Sequence, residues 1–160
     1  MVKVDLNQDG RPELITNSGK NKGEGLCWYE PGEDATEPWI KHDIGGEDYF
    51  IHGGVSPQPV GDLDGDGDPD VAAARAWFEN LNGKATSWKK HPHHLIGQDA
   101  QFGIAVKTHV VDMDGDGDMD IVQAECDIKK KAGLGWLEND GNGNFKMHWL
   151  SKREGKDSYH

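Results

Sequence analysis

The densest chemistry in the chain is carried by three nine-residue segments. Asp62-Leu-Asp64-Gly-Asp66-Gly-Asp68-Pro-Asp70 and Asp112-Met-Asp114-Gly-Asp116-Gly-Asp118-Met-Asp120 place a carboxylate at every odd position. Asp5-Leu-Asn7-Gln-Asp9-Gly-Arg11-Pro-Glu13 is a less charged version of the same pattern. Carboxylates packed this closely repel one another, and a hard divalent cation is the natural counterweight. Side chains at positions 1, 3, 5 and 9, with a backbone carbonyl at position 7, can wrap one ion in oxygen, and Gly at position 6 permits the sharp bend. So many protein oxygens suit calcium better than magnesium, which gives up its water reluctantly. The expected ligands are Asp5, Asn7, Asp9, Arg11 (through its carbonyl) and Glu13, then Asp62, Asp64, Asp66, Asp68 and Asp70, then Asp112, Asp114, Asp116, Asp118 and Asp120, for up to three calcium ions. The first loop is the weakest of the three, because Asn7 replaces a charged ligand. A helix-loop-helix calcium site needs a bidentate acid at position 12. Those positions are Thr16, Ala73 and Gln123, and β-forming residues follow. The acid at position 9 is therefore the expected closing ligand. The alternative, a solvated acidic turn without an ion, leaves five Asp in nine residues uncompensated.

The elements that must hold these loops recur with them. Each loop precedes an apolar stretch: Leu14-Ile15-Thr16, Val71-Ala72-Ala73-Ala74, and Ile121-Val122. A second marker follows, Trp28-Tyr29-Glu30-Pro31, Trp77-Phe78-Glu79-Asn80 and Trp136-Leu137-Glu138-Asn139. A third closes each unit: Trp39-Ile-Lys-His42, Trp88-Lys-Lys-His91 and Phe145-Lys-Met-His148. Three markers in one order, three times over, define an internal repeat, with units at about 1–48, 49–98 and 99–160. Each unit reads as four short strands: an extended segment before the loop (Phe102 to Val111 in the third unit), the apolar stretch, the Trp-aromatic-Glu segment and the segment ending in His. Period-2 alternation and Gly/Asn turns, among them Leu81-Asn82-Gly83 and Asp140-Gly141-Asn142-Gly143, favour strands over helices. The predicted fold class is all-β, with three four-stranded antiparallel propeller blades. An unrelated β-sandwich would not explain markers in triplicate.

Composition agrees. The chain has 160 residues, room for one domain, and six Trp, whereas disordered chains are poor in aromatics. Its formal net charge is -12, concentrated in the acidic loops, which excludes the basic face a nucleic-acid binder needs. No apolar run approaches the ~18 residues of a membrane span, and the opening residues do not form a signal peptide.

The Asp-x-Asp-Gly-Asp-Gly-Asp-x-Asp run and the Trp-aromatic-Glu-Asn strand resemble the FG-GAP/VCBS repeat family of calcium-binding β-propellers. The resemblance spans nearly the whole chain; Phe102-Gly103 is similar to the family's Phe-Gly pair, and a Gly-Ala-Pro element is missing. It implies calcium loops that pin the first hairpin of each blade, in a scaffold that hosts binders and enzymes alike.

Strand order places the metal loops on one face of such blades. The second-to-third loops (Asn17 to Gly25, Ala74-Arg75-Ala76, Glu125 to Gly133) and the inter-blade crossings lie on the other. Tyr49, His52, Arg75, Glu125, Tyr159 and His160 are the candidate ligand-binding residues of that face. Aromatics with hydrogen-bonding groups suit carbohydrate, and a protein ligand is the other expectation. Relatives of the family resemble polysaccharide lyases and sugar dehydratases. On that resemblance His52, Tyr49 and Arg75 would be base, acid and charge stabiliser. A purely structural module is the third reading. His42, His91 and His148 recur at one strand position and are expected to be structural. His91-Pro-His93-His94 lacks zinc-ligand spacing and is expected at an exposed strand end. Lys129-Lys130-Lys131 reads as a solvated loop tip, and no disulfide is expected between Cys27 and Cys126. Closed propellers have roughly four to eight blades. Three units are therefore expected to need further blades or self-assembly, and the register of the ends reads as a segment of a larger propeller. Weak calcium sites of the extracellular type point to a secreted, periplasmic or cell-surface setting.

Overall fold

A computed structural model describes residues 1–17, 25–34, 36–45, 55, 57–93, 105–126 and 133–151. Among them are strands and turns and no helix. Three four-stranded antiparallel meanders account for almost all of the strands. The first unit is β1 (Val2–Val4), β2 (Glu13–Asn17), β3 (Leu26–Glu30) and β4 (Ile40–Gly45). After the short β5 (Pro57–Gln58), the second unit is β6 (Val60–Gly61), β7 (Asp70–Ala72), β8 (Ala76–Asn80) and β9 (Trp88–Pro92). The third is β10 (Ala105–Val111), β11 (Asp120–Cys126), β12 (Leu134–Asn139) and β13 (Phe145–Trp149). The chain is thus built of propeller-type blades, and no barrel closes among the described residues. The acidic loops join the first and second strands of each unit. The turns Leu81–Gly83 and Asp140–Gly143 join the third and fourth, with Gly83, Gly141 and Gly143 at positive φ.

Equivalent positions follow from the ladders. Leu14 pairs with Tyr29, Val71 with Phe78 and Ile121 with Leu137. Trp28 pairs with His42, Trp77 with His91 and Trp136 with His148. Successive strand residues point to opposite faces, and both faces of the second unit are buried. Leu6, Ile15, Leu26, Trp28 and Ile44 of the first unit share one core with Val71, Ala73, Ala76 and Phe78 of the second. Leu63, Ala72 and Trp77 of the second share another with Val110, Ile121 and Leu137 of the third. The consecutive buried residues Ala76, Trp77 and Phe78 in β8 are what a strand covered on both sides requires.

The third unit repeats the outward half of this arrangement with no partner on it among the described residues. Leu6 and Leu63 are fully buried, whereas Met113 at the same loop position is 47% exposed. Leu26 and Ile44 are buried, but their counterparts Leu134 and Leu150 are 38% and 44% exposed. Val111, the counterpart of Val4, is exposed with them.

The inner edge of the second unit departs from a simple meander. Pro59 interrupts the strand by removing a backbone donor, and β5 crosses to pair in parallel with β10, with Pro57 opposite Thr108 and Gln58 opposite His109. Gly61 lets the two units approach closely: a Cβ there would sit 2.5 Å from Val110 Cγ1.

One expectation needs correction. His93 does not sit at an exposed strand end; it is 5% exposed. Its backbone N–H donates to the Arg75 carbonyl, and its Nε2 lies 3.1 Å from the Ala73 carbonyl. It occupies the position of the core residue Ile44, two places after the repeated His, which turns the ring inward. The described part of the third unit's first strand, Ala105–Val111, falls within the expected Phe102 to Val111, and residues 102–104 lie outside the described residues. His94, Phe102-Gly103 and Lys129-Lys130-Lys131 lie outside the described residues.

Candidate metal centres

Each acidic loop is first a knot of backbone hydrogen bonds onto its own carboxylates. In the second loop Asp62 accepts from the N–H groups of Gly65 (2.8 Å) and Gly67 (3.0 Å). Asp64 accepts from Asp66 N–H and Asp66 from Asp68 N–H. The third loop repeats this bond for bond: Asp112 accepts from Gly115 and Gly117, Asp114 from Asp116, and Asp116 from Asp118. The first loop is a variant. Asp5 accepts from Asp9 and Gly10, Asn7 from Asp9, and Asp9 from Arg11. The position-6 glycines, Gly10, Gly67 and Gly117, all adopt positive φ (86°, 91° and 103°), where a Cβ would be strained. The Arg11 guanidinium is tied to the Gly32 carbonyl.

This folding draws the acids together. Single oxygens of Asp5, Asp9 and Glu13 lie within 4.8 Å of one another. The same holds for Asp62, Asp64 and Asp66, and for Asp112, Asp114 and Asp120. Burial, then the charges of Asp9 and Asp5, push the Glu13 carboxyl above its usual range, against the opposing Leu6 hydrogen bond. Burial is also the largest cause of the raised Asp64, Asp114 and Asp118, with the Asp66 charge next for Asp64. It pushes Asp70 up to about 7. Stacking anions in a partly desolvated loop opposes their ionisation, and a bound cation would relieve that cost.

The ninth-position acids do structural work as well. Asp70 accepts from Leu63 N–H at the start of its loop (2.9 Å) and from Asn80 N–H at the end of β8 (2.8 Å). Asp120 does the same with Met113 (2.9 Å) and Asn139 (2.8 Å). Asn139 then donates through its side chain to Met119 O and, across the unit boundary, to Leu63 O, both at 2.9 Å. The repeated Trp-x-Glu-Asn ending carried this signal, but its partner could not be read without the ladder. In the first unit Glu13 accepts from Leu6 N–H at 2.6 Å, and its other oxygen is buried with no hydrogen-bond partner.

The recurring histidines form a second set of triads. His42, His91 and His148 stack on Trp28, Trp77 and Trp136, with ring centroids 4.1, 4.1 and 4.9 Å apart. Their Nε2 atoms meet Glu30, Glu79 and Glu138. Lys89 joins Glu79, and Lys146 joins Glu138. These triads fasten the outer two strands of each unit.

Of the six residues expected to bind a ligand, Tyr49, His52, Tyr159 and His160 lie outside the described residues. Glu125 falls in β11 opposite Val106, with its side chain outside them. Arg75 is half-buried at the β7–β8 turn. Cys27 is a buried free thiol. A different concavity lies between the second and third units, a cavity of about 390 Å³ lined by Trp77, His91, His93, Asn144 and Phe145 among others. Turn length explains it. The β8–β9 turn is long enough to bury Ala85, whose carbonyl accepts from the Trp28 and Trp88 indoles (3.1 and 3.0 Å). The β12–β13 turn is two residues shorter and lays Gly143 against Trp77 instead; a Cβ on Gly143 would be 2.6 Å from that ring.

Comparison with known families bears on the arrangement as far as residue 123. A family model described as an FG-GAP-like repeat matches residues 5–73 and, in an overlapping second copy, residues 62–123. Both matches take in complete acidic loops. The comparisons with curated proteins and with solved structures return no match.

Proposed function

The chain belongs to the family of FG-GAP-like repeats, and from that premise we propose that it is a calcium-stabilised propeller module that binds a ligand. The observation that carries the metal reading is the first loop. Glu13 is fully buried, one of its oxygens makes no hydrogen bond, and single oxygens of Glu13, Asp5 and Asp9 lie within 4.8 Å of one another. An anionic oxygen in that situation is costly unless something positive meets it. The two other loops supply oxygen sets of the same hard type, which suit a calcium ion. When bound, the ion supplies charge neutralisation. The chain supplies Asp5, Asn7, Asp9 and Glu13 in one loop, and the odd-position Asp residues in the others. Their role is to fix the hairpin of the first two strands in each unit.

Binding is the favoured use of the scaffold. The cavity between the second and third units falls in the size range of small-molecule sites, roughly 300–1,000 Å³, and combines aromatic with hydrogen-bonding groups. Its chemistry suits a sugar. The exposed Val111, Met113, Leu134 and Leu150 support a second contact, to a further four-stranded unit of the same kind, because that is what covers Val4, Leu6, Leu26 and Ile44 within this chain. An extracytoplasmic setting, where weak calcium sites fill, completes the proposal.

Thermal melting of the full chain with millimolar calcium and with chelator tests the metal reading. Calcium is expected to raise Tm by mass action, with magnesium far less effective. Identical melting in both conditions overturns it. Saturation-transfer NMR with a panel of monosaccharides tests the sugar reading, and a panel in which no sugar receives saturation from the protein sinks it.

A further inference from the structure

We propose that the β12–β13 turn links the acidic loops to the cavity beside Trp77: cation occupancy of the second and third loops sets the position of the wall against which a cavity ligand binds. The proposal rests on the calcium reading of the loops and on the cavity as the ligand site.

The turn is a single knot. Asp140 accepts from the N–H groups of Asn142 (3.0 Å) and Asn144 (3.3 Å) and from the Asn144 side-chain amide (3.0 Å). Its own N–H donates to the Asn144 carbonyl (3.1 Å). The far end of the knot, Gly143 to Phe145, is one wall of the cavity, across from Trp77, His91 and His93 of the second unit. Displacing one end of so short a knot carries the other end with it.

Both adjoining loops press on this turn. From the third loop the Asp118 carboxyl reaches Gly141, where a Cβ would sit 2.6 Å from Oδ2. From the second loop a Cβ on Gly65 would be 2.9 Å from the Gly141 carbonyl, and one on Gly143 would be 3.6 Å from Asp64 Cβ. Asp64 belongs to the clustered acids of the second loop, so its place, and that of Gly65 beside it, follows whether the loop is filled. At the third loop the contact is between anions. Burial raises the Asp118 carboxyl, and so do the charges of Asp116 in its loop and Asp140 in the turn. Loop and turn therefore repel while the loop is ion-free, and a cation among the loop acids offsets that repulsion. The first loop bears on another turn, with Arg11 held by the Gly32 carbonyl between β3 and β4. Linkage is reciprocal, so a ligand that fills the cavity tightens cation binding by the same factor.

A pair of glycines isolates the contact. Gly65 and Gly115 are the fourth residues of their loops, have φ of 80° and 82°, and donate to Asp62 and Asp112 respectively. A Cβ on Gly115 meets no atom within 4 Å among the described residues, whereas one on Gly65 meets the turn. Alanine at either position carries the same left-handed strain, and only Gly65→Ala pushes on the turn.

Amide NMR spectra of the full chain, followed as calcium is added to wild type, Gly65→Ala and Gly115→Ala, test the linkage. In wild type the Gly143 and Asn144 amides and the Trp77 indole N–H are expected to shift in step with the loop amides of Gly67 and Gly117. Gly115→Ala is expected to bring those three probes to their wild-type positions at saturation, and Gly65→Ala to leave them short. Any monosaccharide that receives saturation from the protein is expected to bind at least about fivefold more weakly in chelator than in calcium. Loop amides that titrate while Gly143, Asn144 and Trp77 stay fixed overturn the linkage and leave the calcium reading standing. So does an equal response in the two variants. Loop amides indifferent to calcium overturn the calcium reading and the linkage with it. A panel in which no sugar binds removes the sugar reading alone, and the amide shifts then decide the linkage.

Discussion

Replacing Asp120 with Asn separates the scaffold from the ion. The change is isosteric and falls on a side chain that is 1% exposed. As a carboxylate Asp120 accepts from Met113 N–H at 2.9 Å and Asn139 N–H at 2.8 Å, joining the loop to β12. An amide can accept only one of these and turns an NH2 toward the other. A hydrogen bond to a charged group contributes about 1.5–3 kcal/mol, and a buried donor left without an acceptor costs about 1–3 kcal/mol. The net loss expected in chelator is therefore about 3 kcal/mol. For a chain of this length each kcal/mol moves Tm by roughly 2–4 °C, which gives a fall of about 6–12 °C. Urea titration and thermal melting, both with chelator, measure it without any contribution from calcium. Asp116→Asn is the control. Asp116 is exposed and accepts one backbone N–H within its own loop, so about 0.5 kcal/mol or less is expected. A loss below about 1 kcal/mol for Asp120→Asn refutes the argument that the ninth-position acid is a strut as well as a ligand.

Other expectations concern the unit boundary and proton linkage. Gly61→Ala places a Cβ 2.5 Å from Val110 Cγ1, a buried β-branched side chain with little freedom to retreat. Overpacking of this kind costs about 1–3 kcal/mol, and urea titration reads it; a neutral effect would show that the second and third units do not approach as described. Burial holds Asp70 protonated up to about 7 in the ion-free protein, above the ordinary carboxylate range. That stabilisation is fullest below pH ~4 and is lost as pH rises toward 7. A cation in the second loop favours the ionised form. Calcium uptake at pH 6 is therefore expected to release about one proton from this site, with affinity rising toward pH 7. Calorimetry in two buffers of different ionisation heat detects the release, and buffer-independent heats contradict it.

Much of this was legible in the sequence because repetition supplies its own alignment. The acidic runs, the Trp-x-Glu strands and the terminal His each recurred in order, so the loops, the four-stranded units and the structural role of His42, His91 and His148 could be read directly. Properties set by pairing between distant residues could not. That Asp70 spends an oxygen on Asn80 depends on a ladder register that composition does not disclose. His93 was misplaced because a polar residue in a His-rich run reads as surface. It stands where the first unit has Ile44, and the neighbouring carbonyl of Ala73 makes its burial tolerable. The crossing of β5 to β10 was equally hidden, since Pro59 marks a break without saying where the freed segment goes. The cavity beside Trp77 arises from a two-residue difference between turns, visible in the sequence but silent until the Ala85 contact to Trp28 is known.

Crystals grown with millimolar calcium and measured at a wavelength where that element scatters anomalously offer the most direct test of the account. It predicts three difference peaks, among Asp5, Asp9 and Glu13, among Asp62, Asp64 and Asp66, and among Asp112, Asp114 and Asp120. Well-ordered loops with no peak in any of them would contradict it.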